Sequence, residues 1–286
     1  MDFTNSSIAL SAIFLILLLI IIAKIIIRKR FPFDSYLTYT WTFFLGISVA
    51  EFISFAAGIW IIAVLSFIAL KEYLSLIDIR LQDRIGILGA YLSIPFMFYF
   101  IQIQWYGMFI IAIPVYSFLA IPLLVSLGGR ETQGTVFSIG AIDFGLFLYV
   151  FCTGHIAYLL HFGIWKPALL ILGVAICDKI AHAIKKRIKS NINNLMLRFI
   201  IPLPITVLLS MLTSEWTGIP FIHSIILGSL IPVLVIMGQH TGDYIKADIG
   251  VEVNDSSTRR GKVLDNLKSY LFTAPVVFHY IRFFLT

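Results

Sequence analysis

Residues 8–27 read IALSAIFLILLLIIIAKIII, an apolar stretch in which Lys24 is the single charged side chain. A helix of about 20 such residues crosses the ~30 Å hydrocarbon core of a bilayer. No basic segment precedes the stretch, and a basic triplet follows it at 28–30, which is not the pattern of a cleaved secretory signal. We therefore interpret residues 1–30 as an N-terminal anchor helix that is retained, with its N-terminus outside.

The composition of the whole chain indicates a membrane protein that crosses the bilayer many times. Of its 286 residues, 59% are hydrophobic and only 13% are charged, and the mean hydropathy is +0.97. A soluble domain carries about 25% charged residues, so this chain lacks the side chains for a fully hydrated surface. Its apolar runs show little period-2 alternation, which favours a helical bundle over a barrel of strands.

The apolar runs and their polar flanks predict an all-α bundle of about nine transmembrane helices. A further apolar stretch at 270–285 predicts either a terminal span or an interfacial helix. We interpret residues 1–286 as one polytopic membrane domain, in which the polar stretch 238–269 forms a cytoplasmic loop. The nine spans are placed near 8–27, 39–56, 58–70, 86–101, 106–127, 135–152, 167–183, 198–213 and 219–237.

Lysine and arginine residues gather in alternate loops, which predicts the orientation of the bundle. Loops on the opposite side hold few cations, with Lys166 as the main exception. By the positive-inside rule the basic side is cytoplasmic. Attraction to anionic lipid headgroups, worth about 1 kcal/mol per cation, explains most of these charges, and an anionic ligand is the second interpretation. The basic segments are 28–30, 71–84, Arg130, 185–189 and 246–268.

Acidic residues inside apolar runs are the first candidates for chemistry, because each costs roughly 2.5–3.5 kcal/mol near the middle of a membrane. Glu51 and Asp143 lie within predicted spans, and we interpret each as a carboxylate buried against a neighbouring helix. Asp178 ends the seventh span beside the basic cluster. Near that interface a carboxylate can ionise and hold a metal ion.

A second candidate site lies in the polar stretches 242–248 and 261–265. These stretches combine carboxylates with cations, and carboxylate oxygens suit Mg²⁺, which often shares its coordination shell with substrate phosphates. A solvated loop without a function is the alternative. The candidate residues are Asp243, Lys246, Asp248, Arg259, Arg260, Lys262 and Asp265.

At these residues the sequence resembles the phosphatidate cytidylyltransferases, also called CDP-diacylglycerol synthases. The resemblance also rests on SFIALKEY at 66–73, WYG at 105–107, IPVYSF at 113–118 and APVVFHYIRFF at 274–284. It extends over nearly the whole chain. It implies a polytopic helical bundle in the bacterial inner membrane, with a cavity at its cytoplasmic face.

The resemblance also implies an activity. In the family, a phosphate oxygen of phosphatidate attacks the α-phosphorus of CTP, which releases pyrophosphate and forms CDP-diacylglycerol. The implied partners are CTP, phosphatidate and membrane lipids, without a nucleic acid, and the implied cofactor is Mg²⁺. The resemblance assigns catalysis to Asp243, Lys246 and Asp265, the metal to Asp243 and Asp265, phosphate binding to Lys185, Arg259, Arg260 and Lys262, and supporting roles to Asp178 and Asp248.

Several signature residues of that family are replaced in this chain. Asn266 and Lys268 stand where the family has an arginine and a second aspartate, and Ala247 replaces an arginine. The Ser-Pro-x-Lys-Thr-Trp-Glu-Gly segment expected after the basic cluster is absent. Because Lys268 reverses a charge beside the expected metal ions, it would repel Mg²⁺.

Three interpretations follow from these replacements. The chain is a working cytidylyltransferase with a remodelled site, or it is an inactive relative that binds a phosphatidate-like lipid. Such a relative would act as a homodimer or beside another phospholipid enzyme. The third interpretation is a transporter, which is disfavoured because the sequence shows no inverted repeat.

Overall fold

A computed structural model describes residues 5–27, 35–128, 132–187, 191–250 and 261–286. Over these ranges the backbone is helical almost throughout and contains no β-strand, which confirms the all-α prediction. Short 3₁₀ or α turns at Leu81–Asp83 and Ser214–Thr217 join some of the main helices. The main helices are α1 (Asn5–Ile27), α2 (Ser35–Phe52), α3 (Phe55–Leu76), α4 (Arg84–Gln102), α5 (Tyr106–Gly128), α6 (Thr135–Phe162), α7 (Trp165–Arg187), α8 (Asn191–Ile200), α9 (Pro202–Leu212), α10 (Phe221–Asp248) and α11 (Lys262–Leu285).

Within the described ranges, six helical segments are long and apolar enough to cross a membrane: Phe55–Leu76, Leu81–Gln102, Tyr106–Gly128, Thr135–Phe162, Trp165–Ile184 and Phe221–Asp248. Two shorter apolar helical segments are Ser7–Ile20 and Met196–Leu212. These segments show that the chain is an integral membrane protein. The count of nine transmembrane helices and the orientation of the bundle in the membrane stay predictions. The basic segments at 28–30, Arg130 and 188–189 lie outside the described residues.

The helices are apolar on both faces, as expected of helices that pack against each other and against lipid. Helix α4 illustrates this arrangement. Leu88, Leu92 and Phe96 recur every four residues and are exposed on one face, whereas Met97 and Phe98 are fully buried. In water the exposed face would be unfavourable, but in a bilayer it contacts acyl chains.

The hairpin of α2 and α3 depends on small residues where the two helices meet. A Cβ atom at Gly58 would lie 2.4 Å from the Cβ atom of Ala50 and 2.5 Å from the carbonyl oxygen of Gly46. Glycine therefore allows the two backbones to approach closely, as is common between membrane helices. This contact positions α3 against α2, and the polar end of α3 carries Glu72.

Helix α11 lies inside the bundle, where it packs against α2, α3, α6, α7 and α10. Tyr270, Phe278 and Ile281 on this helix are almost completely buried. Residues 270–285 thus belong to a helix that packs inside the bundle, and the choice between a terminal span and an interfacial helix stays a prediction.

The stretch 238–269, predicted as a loop, is helical over much of its length. Helix α10 continues to Asp248 and α11 begins at Lys262. Residues 251–260 lie outside the residues that the structure describes. The loop prediction was wrong for the described part, because hydropathy falls at polar residues whether or not the helix ends. Here the polar side chains bond to each other across the α10–α11 contact, so the helices continue without losing polar partners.

Candidate functional site

Helices α10 and α11 run antiparallel and approach closely at two glycines of α10. A Cβ atom at Gly238 would lie 2.6 Å from the carbonyl oxygen of Lys268, and one at Gly242 would lie 2.6 Å from the Cβ atom of Lys268. At the far end of the pair, a ring nitrogen of His223 lies 2.8 Å from the hydroxyl oxygen of Tyr280. These contacts fix which polar residues of the two helices face each other.

Four charged residues pair across this contact, and we call them the ladder: Asp243, Lys246, Asp265 and Lys268. The Nζ atom of Lys246 lies 2.5 Å from Oδ2 of Asp265. The Nζ atom of Lys268 lies 2.5 Å from Oδ1 of Asp243 and 3.2 Å from Oδ1 of Asp265. The ladder thus joins two carboxylates and two ammonium groups from two helices.

Both lysines of the ladder are shielded from solvent. The side chain of Lys246 is 3% exposed and that of Lys268 is 17% exposed. Burial by itself lowers the pKa of Lys268, but Asp265 and Asp243 outweigh it, and the pKa is raised above its ordinary value. Lys268, which lies outside the six candidate spans, is therefore a cation at neutral pH.

Asp178 of α7 joins a second polar network directly beside the ladder. The hydroxyl of Ser269 donates to Oδ1 of Asp178 over 2.6 Å, and the side-chain amide of Gln239 donates to the same oxygen. Arg198 of α8 donates in turn to the side-chain oxygen of Gln239. Since Ser269 follows Lys268 in the chain, this network places α7 and α8 against the ladder.

Glu72 of α3 holds the first turn of α11. Its Oε1 atom accepts a hydrogen bond of 3.0 Å from the backbone N–H of Val263. The first N–H groups of a helix have no partner within the helix, so a carboxylate there satisfies a donor and stabilises the positive helix end. Glu72 thereby positions the turn that carries Asp265.

The structure brings together the three residues predicted to be catalytic, Asp243, Lys246 and Asp265, and places Asp178 next to them. Lys262 is half-buried at the start of α11, and Asp248 is exposed at the end of α10. The side chain of Lys185 and all of Arg259 and Arg260 lie outside the described residues.

Several residues of this site escaped the sequence analysis. Lys268 was interpreted only as a lost carboxylate, and Glu72 only as part of the segment at 66–73. Gln239 and Arg198 carried no signal at all, because single amide and basic side chains are common in helices, and Ser269 was only the last residue of a stretch compared with a family signature. Their roles depend on the helix register, which a single sequence does not specify.

The predicted intramembrane carboxylates differ in their surroundings. Asp143 is buried, and neither of its oxygens has a hydrogen-bond partner among the residues that the structure describes. Glu51 is exposed, so its interpretation as a buried carboxylate was wrong, and its Oε1 atom lies 3.4 Å from the hydroxyl of Ser7. Neither residue contributes to the ladder.

The ladder as placed does not fit a Mg²⁺ ion. Magnesium requires near-octahedral oxygen ligands at about 2.0–2.1 Å. Between Asp243 and Asp265 the ammonium group of Lys268 already occupies the space. In the described part of the chain, no three His, Cys, Asp or Glu side chains are grouped to hold a metal ion.

A pocket of about 750 Å³ lies at the opposite end of α11 from the ladder. Its lining includes Tyr106, His279 and Arg282, and the guanidinium carbon of Arg282 lies 3.5 Å from the centre of the Tyr106 ring. The ladder residues do not line this pocket, so a cavity at the cytoplasmic face stays a prediction.

Fold and site together define a polytopic helical membrane protein with a partly buried charged cluster at one end of a helix pair. The model of the cytidylyltransferase family matches residues 35–284, which include the whole ladder. The chain therefore belongs to the cytidylyltransferase family, as the sequence resemblance predicted.

A protein of Escherichia coli strain K12 is similar to this chain. The chain is 27% identical over 237 residues to the uncharacterized protein YnbB of that organism. The matched region covers 77% of this chain and 78% of YnbB, so the two proteins resemble each other over most of their lengths. No solved structure matches the chain.

Proposed function

We propose that this protein transfers CMP from CTP to phosphatidate at the cytoplasmic membrane face. The observation that carries this proposal is the family match over 35–284, within which Asp243, Lys246 and Asp265 meet in one cluster through Lys268. A family scaffold that still assembles charged residues at one end of its bundle supports the family's chemistry. The one-sided distribution of basic segments supports the cytoplasmic location.

The proposed reaction joins two polyanions. A phosphate oxygen of phosphatidate attacks the α-phosphorus of CTP and forms a new P–O bond. The bond from the α-phosphorus to the oxygen that bridges to the β-phosphorus breaks, and pyrophosphate leaves with the electron pair. Such a transfer depends on positioning and on cations that stabilise the phosphates.

The chain supplies its own cations for this step. Lys246 and Lys268 lie in the ladder, and Lys262 begins the same helix as Lys268. Asp243 and Asp265 hold the two ladder lysines in place by ion pairs. In this proposal Lys185, Arg259 and Arg260 contribute further contacts to the phosphates.

A second candidate function is phosphate-lipid binding without catalysis. It is favoured by one observation, the pairing of Lys268 with both Asp243 and Asp265, because paired carboxylates are poorly available to activate or orient a reactant. Such a protein would hold phosphatidate, or present it to another phospholipid enzyme, on the same scaffold.

An assay of purified protein separates the two candidates. The protein is incubated with radiolabelled CTP and phosphatidate vesicles, with and without Mg²⁺, and CDP-diacylglycerol is measured. Product formation supports the first candidate. Absence of product under both conditions, together with retained phosphatidate binding in a vesicle flotation assay, would overturn it in favour of the second.

A further inference from the structure

We propose that the ammonium group of Lys268 takes the place of a divalent cation between Asp243 and Asp265, so that this protein carries a tethered cation in its site. The inference is independent of whether the chain transfers CMP or only binds a lipid. It concerns what neutralises the two carboxylates, and it makes the site independent of a bound metal ion.

The two carboxylates face the same point. They come from different helices and converge on one point, with Oδ1 of Asp243 and Oδ1 of Asp265 at 2.5 Å and 3.2 Å from the same nitrogen. Two carboxylates that face one point repel each other unless a cation lies between them. A side chain of this protein occupies that point.

Helix α10 provides the space in which the side chain of Lys268 packs. A Cβ atom at Gly242 would lie 2.6, 2.7 and 3.1 Å from Cβ, Cδ and Cγ of Lys268. The two shorter distances lie below those of real Cβ contacts, so the aliphatic stem of Lys268 lies over a backbone position where only glycine fits without a shift. The stem is packed along its length rather than extended into solvent.

The charges of the ladder balance without a metal ion. The second lysine, Lys246, pairs with the other oxygen of Asp265 at 2.5 Å, so the ladder contains two positive and two negative groups. A divalent cation entering between the carboxylates would have to displace a packed ammonium group and would leave the cluster with excess positive charge. Burial strengthens that repulsion, because the effective dielectric constant is low.

Binding of Mn²⁺ alone, followed by electron paramagnetic resonance on the purified full-length protein, tests the proposal. We expect no saturable Mn²⁺ site at the ladder of the unmodified protein. In Lys268→Asp a third carboxylate joins Asp243 and Asp265, and we expect a saturable site whose Mn²⁺ affinity is roughly tenfold or more above the non-specific binding of the unmodified protein. Lys71→Asp, which adds a carboxylate at an exposed position of α3, is the matched control and should show no rise.

Two outcomes would overturn the proposal. One is saturable Mn²⁺ binding by the unmodified protein that Asp243→Asn abolishes. The other is a folded Lys268→Asp protein, judged by circular dichroism, that binds Mn²⁺ no better than the Lys71→Asp control. Because the readout is metal binding, failure of this proposal is distinguishable from absence of CMP transfer.

Should Lys268→Asp fail to fold, the unmodified protein provides a second measurement. Its thermal unfolding midpoint in detergent should be the same in EDTA and in Mg²⁺. A midpoint that rises with Mg²⁺, and no longer does so in Asp243→Asn, would show that a metal ion binds where we place the lysine.

Discussion

Lys246 is the most buried cation of the ladder, and Asp265 stabilises its charge by an ion pair. We predict that Asp265→Asn destabilises the protein by about 1–3 kcal/mol, because a buried ammonium group loses its charged partner. The loss stays below that of a fully buried pair, since Asp265 is 36% exposed. Thermal unfolding in detergent measures it. Asp248→Asn is the matched control. If Asp248→Asn destabilised the protein as much as Asp265→Asn does, the ladder pairing would be contradicted.

Gly242 provides the second prediction at this scale. Gly242→Ala places a methyl group within 2.6 Å of the Lys268 side chain, and overpacking of this kind costs about 1–3 kcal/mol. Gly140→Ala is the control, because a Cβ atom there meets nothing within 4 Å. Unfolding midpoints of the two variants should differ accordingly. Equal midpoints would mean that Lys268 does not pack over Gly242.

Sequence reasoning at the residue scale identified the acidic and basic residues but not how they pair. Asp243, Lys246 and Asp265 were predicted to act together, and the structure joins Lys246 to Asp265 and, through Lys268, Asp265 to Asp243. The pairing of Lys268 follows from the register of α10 against α11. That register depends on the close approach at Gly238 and Gly242, which a single sequence does not reveal.

At the scale of the helix, Glu72 connects α3 to the start of α11. We predict that Glu72→Gln weakens the first turn of α11 and costs about 0.5–2 kcal/mol, the range for losing a helix cap. Hydrogen exchange at the amides of 263–266 should accelerate in this variant. Glu215→Gln, at an exposed residue of a short helix, should leave the same amides unchanged. Unchanged exchange in Glu72→Gln would contradict the capping role.

The helix boundaries show why hydropathy alone locates spans but not their ends. The third span was predicted at 58–70, yet α3 extends over Phe55–Leu76. It continues through Lys71 and Glu72, because Glu72 finds a partner in α11. The sixth span likewise continues from the predicted end at 152 to Phe162, through the buried His155, whose ring nitrogen bonds to the carbonyl oxygen of Phe151.

At the scale of the whole molecule, the ladder and the C-terminal end of α11 lie at opposite ends of one helix pair. With the ladder in the cytoplasm, a cysteine at Thr286 should react with a membrane-impermeant maleimide in intact cells. A cysteine at Asp248 should react only in inverted vesicles. The natural Cys152 and Cys177 are buried, which keeps the background low. The reverse labelling pattern would invert the predicted orientation.

The most direct measurement of the proposed function compares CDP-diacylglycerol formation by three purified proteins given the same CTP and phosphatidate. We predict product from the unmodified protein, a loss of about 100-fold or more in Lys246→Met, as for an electrostatic contact to the transition state, and unchanged activity in Lys71→Met. Lys71 is an exposed lysine outside the ladder. Equal activity of Lys246→Met and Lys71→Met would contradict the assignment of the ladder as the site of CMP transfer.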